Sequence, residues 1–161
     1  MRAERELGEL GKVVRIVTVE LREPDKPELA RWRTHGERPP REAALVVLAG
    51  GHTHEAVVDI GAGELVSWEH VPGVHAAITA DEYAESEVAV KADAGFQAAL
   101  ALRGVHDLEP VMIDTWTVGR FEEPDRRVGR ALAWLRGDLT GDNGYARPIG
   151  GLIAIVDLDR M

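Results

Sequence analysis

Six short stretches of the chain have the length and the residues of β-strands, and residues 13–21 show strongly the alternation of a strand with one buried face. These stretches are residues 13–21, 43–48, 54–60, 64–70, 111–118 and 128–135. A seventh stretch, residues 151–158, is apolar at nearly every position. Such a run predicts a central strand that is covered on both of its faces.

Glycines and prolines divide these strands into two groups. Gly50-Gly51 and Gly61-Ala62-Gly63 separate consecutive strands by the short turns that favour antiparallel hairpins. Pro72-Gly73 interrupts the pattern near the middle of the chain, which predicts two domains, residues 1–74 and residues 75–161. Residues 23–42 hold four of the eight prolines and many charges, and they predict an exposed connection.

Each half of the chain also contains a helical segment. Residues 3–10 are short and rich in Glu and Arg, and they predict part of a helix. Thr79-Ala80-Asp81-Glu82 has the capping-box sequence that begins a longer helix. The predicted apolar face of that helix consists of Ala84, Val88, Ala92, Phe96 and Leu100. The predicted fold class is α+β: two small domains, each a helix packed on an antiparallel β-sheet meander, in a cystatin-like arrangement.

Composition narrows the functional classes only slightly. The 161 residues carry a net charge of −9, which argues against a nucleic-acid surface, and the lack of Cys excludes disulfides and thiolate metal sites. A local group of arginines is interrupted by Glu37 and two prolines, so it favours a solvated loop: Arg31, Arg33, Arg38 and Arg41. The charged amino terminus lacks an apolar signal core and favours a cytoplasmic location.

Three short motifs could carry chemistry, and each has a simpler structural explanation. His52-Thr53-His54 places two imidazoles on one side of a strand, but no further His lies at a telling spacing, so two exposed turn histidines are the favoured interpretation. Asp142-Asn143-Gly144-Tyr145 is typical of a turn. Asp157 and Asp159 fit a solvated strand end. The residues alone therefore predict two small α+β domains without a recognisable active site.

Several segments nonetheless resemble bacterial copper amine oxidases, in the order and spacing of that family. They are the helix from Asp81-Glu82-Tyr83 onward, the strand Arg127 to Trp134, and Tyr145-Ala146-Arg147-Pro148 with Gly151 to Asp157. The resemblance covers nearly the whole chain and implies the second amino-terminal domain of the family in residues 1–74 and the third in residues 75–161. It implies no catalytic, cofactor-binding or metal-binding residue in this chain.

The family's chemistry requires a Tyr between Asn and an acidic residue, which is oxidised to topaquinone, and a copper site of three His. Asn143-Gly144-Tyr145-Ala146 departs from the first pattern, and His52-Thr53-His54 precedes any such Tyr. Copper and topaquinone are therefore expected only in the intact family. By position, Tyr83, Trp116 and Tyr145 resemble residues that line the family's amine channel. The resemblance further implies that the partner is the catalytic domain or a second copy in a homodimer, with no nucleic acid and no membrane.

Two other functions stay open at the level of sequence. One is a helix-on-sheet module that binds a partner protein through an exposed sheet face. The other is a small-ligand domain with a cavity bounded by Trp116, Trp134 and Phe96. Under the oxidase interpretation, the sheet face that carries Trp116 or Trp134 should be apolar, and it should become buried by dimerisation or by another domain.

Overall fold

The computed structural model describes residues 14–118, 126–137, 141 and 143–161. The chain divides into two units, Met1–Ala77 and Ile78–Met161. The predicted helix at residues 3–10 lies outside the described residues. Among those described, the chain forms two antiparallel sheets and three α-helices, which confirms the α+β fold class. No helix in this part of the chain is long and apolar enough to cross a membrane.

The first unit is built on a four-stranded meander. Its strands follow the chain in the order β1 (Val14–Arg22), β2 (Glu42–Ala49), β3 (His52–Asp59) and β4 (Glu64–His70). Each strand pairs antiparallel with the next, as the glycine turns predict. The most deeply buried positions lie on the two central strands, among them Val47, Ala49 and Ala56.

The predicted exposed connection between β1 and β2 is wrong in one respect, because it contains the helix α1 (Lys26–His35). Asp25 caps this helix: its side chain accepts a hydrogen bond from the backbone N–H of Glu28 at 2.7 Å, and the Glu28 side chain bonds back to the N–H of Asp25. No residue of α1 is buried. A helix without a buried face leaves no hydrophobic period, so only its cap and Pro27 mark it in the sequence.

The second unit combines two helices with a three-stranded sheet. The helices are α2 (Ala80–Ala92) and α3 (Ala94–Ala101), and the strands are β5 (Val111–Thr117), β6 (Val128–Leu135) and β7 (Pro148–Asp157), in that order across the sheet. A single 3₁₀ turn, Gly144–Ala146, precedes β7. The core of this unit lies between the helices and one sheet face, and includes Phe96, Leu100 and Val111.

The long predicted helix is interrupted at Asp93, and three of the five residues of its predicted apolar face are exposed. Asp93 ends α2 and caps α3, since its carboxylate accepts from the N–H of Phe96 at 2.7 Å. Phe96 and Leu100 are buried as predicted, but Val88 is 70% exposed. The buried face of α2 is instead formed by Glu82, Ser86 and Val90. Two of these three residues are polar, so apolar periodicity in the sequence identifies the wrong face of the helix as buried.

The strand β7 lies at an edge of the sheet, so the prediction of a central strand at residues 151–158 is wrong. Its first half bulges away from β6, where the pairing jumps between Leu132 and Trp134. Arg103 fixes this bulge by donating hydrogen bonds to the carbonyls of Gly150 and Gly151, at 3.1 and 2.7 Å. Gly151 has φ of +68°, a left-handed conformation that favours glycine.

A buried ion pair joins α2 to the start of β6. The Nη1 and Nη2 atoms of Arg127 donate to the two carboxylate oxygens of Glu82 at 2.5 and 2.7 Å, and the side chains are 2% and 0% exposed. The same carboxylate completes the capping box by accepting from the N–H of Thr79 at 2.8 Å. The predicted capping box is thus confirmed, and its acidic residue also forms the main polar contact between helix and sheet.

Replacing Arg127 with Met should strongly destabilise the second unit. The change leaves the Glu82 carboxylate buried without its partner, which costs about 3–5 kcal/mol in the free energy of unfolding. Arg126→Met is the matched control, because the Arg126 side chain is half exposed and its bond to Asp157 is worth about 0–1 kcal/mol. Urea denaturation of both variants measures the difference. Equal losses for the two arginines would contradict the structural role given to the buried pair.

The same pair predicts how stability depends on pH. Burial alone raises the pKa of Glu82, but hydrogen bonds from Arg127 and Thr79 outweigh it, so the pKa lies below its ordinary value of 4.5. A carboxylate with a lowered pKa stabilises the folded state fully above its unfolded pKa, and this contribution is lost as pH falls through the folded pKa. Wild type should therefore lose more stability below about pH 4.5 than Glu82→Gln, measured as thermal midpoints from pH 7 to pH 3.

Candidate functional site

The sheet of the second unit has one covered face and one open face. Ser86 of α2 hydrogen-bonds Thr115 of β5 at 2.8 Å, which places the helix over the face that carries Thr115. Gly129, directly opposite Thr117, belongs to this inner face; a Cβ there would lie only 2.4 Å from the Thr115 side chain. Since side chains alternate along a strand, Trp116 projects from the other face, which we call the outer face.

The outer face is largely apolar. The register of the three strands assigns it six large hydrophobic side chains, with the charged residues Asp114 and Arg130 between them: Met112, Trp116, Leu132, Trp134, Ile153 and Ile155. Trp116 is 61% exposed, and the two isoleucines are each 57% exposed. A cluster of this kind marks a surface that another protein segment covers. It also explains why β7 is apolar on both faces while it lies at the sheet edge.

Two of the three predicted channel residues lie at opposite ends of the outer face. Trp116 stands near the end of β5, where its indole N–H donates to the Asp114 carboxylate at 2.9 Å. Tyr145 belongs to the 3₁₀ turn and packs edge-to-face on Trp134, with ring centroids 5.1 Å apart. Trp134 pairs with Met112, which lies four residues before Trp116, a separation of about 14 Å along the strand.

Tyr83 is on a different side of the unit. It lies in the first turns of α2, one residue after the buried Glu82, and it is partly exposed. Because α2 covers the inner face, the sheet separates Tyr83 from the outer face. The structure therefore brings Trp116 and Tyr145 to one face and leaves Tyr83 apart from them. Their role in a channel wall stays a prediction.

Sequence reasoning missed how much of the outer face is apolar. Leu132 and Trp134 lie on the outer side of β6, and the odd-numbered residues on its other side are all apolar, so Arg130 is the one polar residue of the strand. The same holds for Ile153 and Ile155, which the sequence places in a buried central strand. The signal was present, but apolar residues on both faces have two explanations: a central strand, or a face that a partner covers.

The predicted cavity bounded by Trp116, Trp134 and Phe96 is wrong. Phe96 is buried on the inner face, whereas both tryptophans lie on the outer face, so no single cavity of this sheet touches all three. The described residues do form an open groove of about 520 Å³ between the helices and β7, with Val90 and Phe96 at its base. Its position along an edge strand suits an extended peptide segment better than a small enclosed ligand.

The first unit contains a group of three histidines that the sequence spacing did not reveal. His54 and His70 are directly opposite one another on β3 and β4, with ring centroids 5.3 Å apart, and His52 lies 5.2 Å from His70. His52 and His54 both belong to β3, and the interpretation as two exposed turn histidines is wrong for His54, which is 6% exposed. Sequence spacing did not reveal the third histidine because strand pairing brings together residues 16 to 18 positions apart. Burial of His54, with charge repulsion from His70 and His52, lowers its pKa.

Comparison with protein families assigns both units. The family model described as "Copper amine oxidase, N2 domain" matches residues 7–71, and "Copper amine oxidase, N3 domain" matches residues 81–161. The chain therefore belongs to the copper amine oxidase family, in which it corresponds to the N2 and N3 domains.

Individual relatives agree with this assignment. A primary amine oxidase of Arthrobacter sp. (strain P1) is 39% identical over 90% of this chain and 22% of its own length. A copper-containing diamine oxidase of Nicotiana tabacum is 34% identical over 100% of this chain and 25% of its own. The crystal structure of a copper-containing benzylamine oxidase from Hansenula polymorpha superposes with a TM-score of 0.67 at 20% identity, over 91% of this chain and 26% of that one. The chain thus spans about a quarter of the length of these relatives.

The residues of this chain do not fit the copper and quinone centre that the family name implies. Its two tyrosines are Tyr83 and Tyr145, and neither has Asn before it and an acidic residue after it. The Tyr145 ring packs on Trp134 and not on a histidine. In the side-chain positions of the structure, no group of three or more His, Asp or Glu among the described residues could hold a metal ion. No step of amine oxidation is assigned to these side chains.

The outer face should make the isolated chain associate with itself. Replacing Ile155 with Lys removes about 1.5–3 kcal/mol of apolar burial and should weaken association roughly tenfold or more. Val88→Lys is the matched control, because Val88 is equally apolar and exposed but lies on α2. Sedimentation velocity over a concentration series measures both. A wild-type chain that stays monomeric at every concentration would contradict the prediction.

Proposed function

We propose that this chain is a non-catalytic amino-terminal part of a copper-dependent primary amine oxidase, where it supplies scaffold and part of the wall of the substrate channel. In the parent reaction a primary amine, oxygen and water give an aldehyde, ammonia and hydrogen peroxide. The groups that carry out this reaction would belong to a catalytic domain outside the 161 residues. The partner of the chain would be that domain or a second copy of the oxidase.

The observation that carries the proposal is the open outer face of a sheet in the unit that matches the N3 domain. Its exposed apolar side chains need a cover, which a large catalytic domain would provide. Trp116 and Tyr145 suit a channel for amines because aromatic rings bury an apolar tail and attract a cation. The Asp114 carboxylate beside Trp116 adds negative charge at the same place.

A second function is favoured by the same exposed face. A protein-interaction module would use the outer face to bind an unrelated partner, and it would need no catalytic domain. The two functions differ in what the complete gene encodes. An oxidase requires a downstream segment with Asn-Tyr-Asp/Glu and His-x-His, whereas an interaction module requires neither.

The test is to express the complete reading frame with copper and to measure copper content, quinone staining and amine-dependent release of hydrogen peroxide. The expected product is longer than 161 residues, binds copper, stains for quinone and oxidises a primary amine. A product that ends at Met161, without quinone and without activity, would overturn the oxidase proposal and favour the interaction module.

The channel-wall role needs its own variants in the active enzyme. Trp116→Ala and Tyr145→Ala should each raise KM for an arylalkylamine by roughly two- to tenfold, because an aromatic contact is worth about 0.5–1.5 kcal/mol, while KM for methylamine changes little. Trp32→Ala is the matched control, since Trp32 is an exposed tryptophan on α1. Equal effects on both amines, or an effect of Trp32→Ala of the same size, would contradict the channel role.

A further inference from the structure

The three histidines of the first unit form a compact cluster with no role in the proposed function. They are His52 and His54 of β3 and His70 of β4, and we call them the histidine cluster. His54 is 6% exposed, whereas His52 and His70 are exposed. Three of the six histidines in the chain thus meet at one end of a four-stranded sheet.

Strand pairing explains why all three rings lie on the same face. His52 and His54 are two residues apart, so their side chains project from one side of β3. His70 is the direct cross-strand partner of His54. The His70 ring therefore lies beside both of the others, with centroid distances of 5.2 Å to His52 and 5.3 Å to His54.

The distances from His70 to His52 and from His70 to His54 each match a pair of rings that share one metal ion. A ring that binds Zn²⁺ through nitrogen has its centroid about 3.2 Å from the metal, so two rings at a tetrahedral angle have centroids about 5.2 Å apart. The rings presently pack edge-on or tilted, and not around a common point. Because His52 and His70 are exposed, rotation about their side-chain bonds can turn their nitrogens inward without moving the backbone.

Contacts with Trp68 and with the backbone of β3 hold the His54 ring. Its ring stacks on Trp68 with centroids 4.9 Å apart, which fixes the ring plane. Its Nδ1 lies 3.1 Å from the carbonyl oxygen of His52. A carbonyl only accepts hydrogen bonds, so Nδ1 carries the proton and Nε2 keeps its lone pair. Backbone carbonyls play this same part behind many metal-binding histidines.

We propose that His52, His54 and His70 form a binding site for one divalent transition-metal ion that prefers imidazole, such as Zn²⁺ or Ni²⁺. Water would complete the tetrahedral set around the metal ion. This site is separate from the copper and quinone chemistry of the parent family, for which the chain lacks the required tyrosine motif. It would join β3 to the edge strand β4 and so stiffen the first unit when metal is bound.

Calorimetric titration of the untagged 161-residue chain with Zn²⁺ tests the proposal. We expect one ion per chain, and at least a tenfold loss of affinity in His70→Gln and in His52→Gln. His35→Gln and His106→Gln are the matched controls, because both residues are exposed histidines outside the cluster. Binding weaker than about 1 mM, or equal losses in cluster and control variants, would overturn the proposal.

A second measurement needs no variant, which guards against a change in folding. Substoichiometric Ni²⁺ should broaden the ring proton signals of His52, His54 and His70 before those of His35, His75 and His106. Uniform broadening of all six histidines would mean that Ni²⁺ binds each histidine independently, and it would overturn the proposal of a shared site.

Discussion

The buried contact between Glu82 and Arg127 determines how the second unit is organised. It fixes the first turn of α2 over the entrance of β6, and the Ser86–Thr115 hydrogen bond extends the contact to β5. An unpaired charge in this position would be costly, so few other placements of the helix satisfy both groups. With the helix fixed over one face, the inner face is closed, whereas the described residues of the unit leave Trp116, Ile153 and Ile155 of the outer face exposed.

The open outer face follows from this arrangement and has consequences for function. A unit of about 84 residues has a small core, and it gains further stability when a second surface is covered. Trp116, Ile153 and Ile155 would be a liability for solubility if nothing covered them. Their presence on the N3-type unit is what a domain built to lie against a larger neighbour requires, and it supports a scaffold role more directly than any single side chain does.

The sequence predicts the strands far better than the contacts between them. Alternation of large with small apolar residues located β6 to the residue, with Leu132 and Trp134 on one side of the strand and Ala131 and Ala133 on the other. The buried faces of the helices were harder to predict from the sequence, because α1 has no buried residue and the buried face of α2 includes the polar residues Glu82 and Ser86. The histidine cluster was not predictable either, because His70 reaches its neighbours only through cross-strand pairing. A local sequence pattern indicates which residues of one element are buried. It does not indicate which residues of another element they contact, and both the helix faces and the histidine cluster depend on those contacts.

The three aromatic residues that resemble channel residues of the family do not lie on one face of this fold. The resemblance treats Tyr83, Trp116 and Tyr145 alike, but the sheet places Tyr83 on the helix side and the other two on the outer face. A channel wall formed with a catalytic domain needs side chains that project toward that domain. Trp116 and Tyr145 meet this requirement if the outer face is the one covered, and the apolar surface between them argues that it is. Tyr83 would need a second contact surface, on α2, where the exposed neighbours are mainly acidic or small.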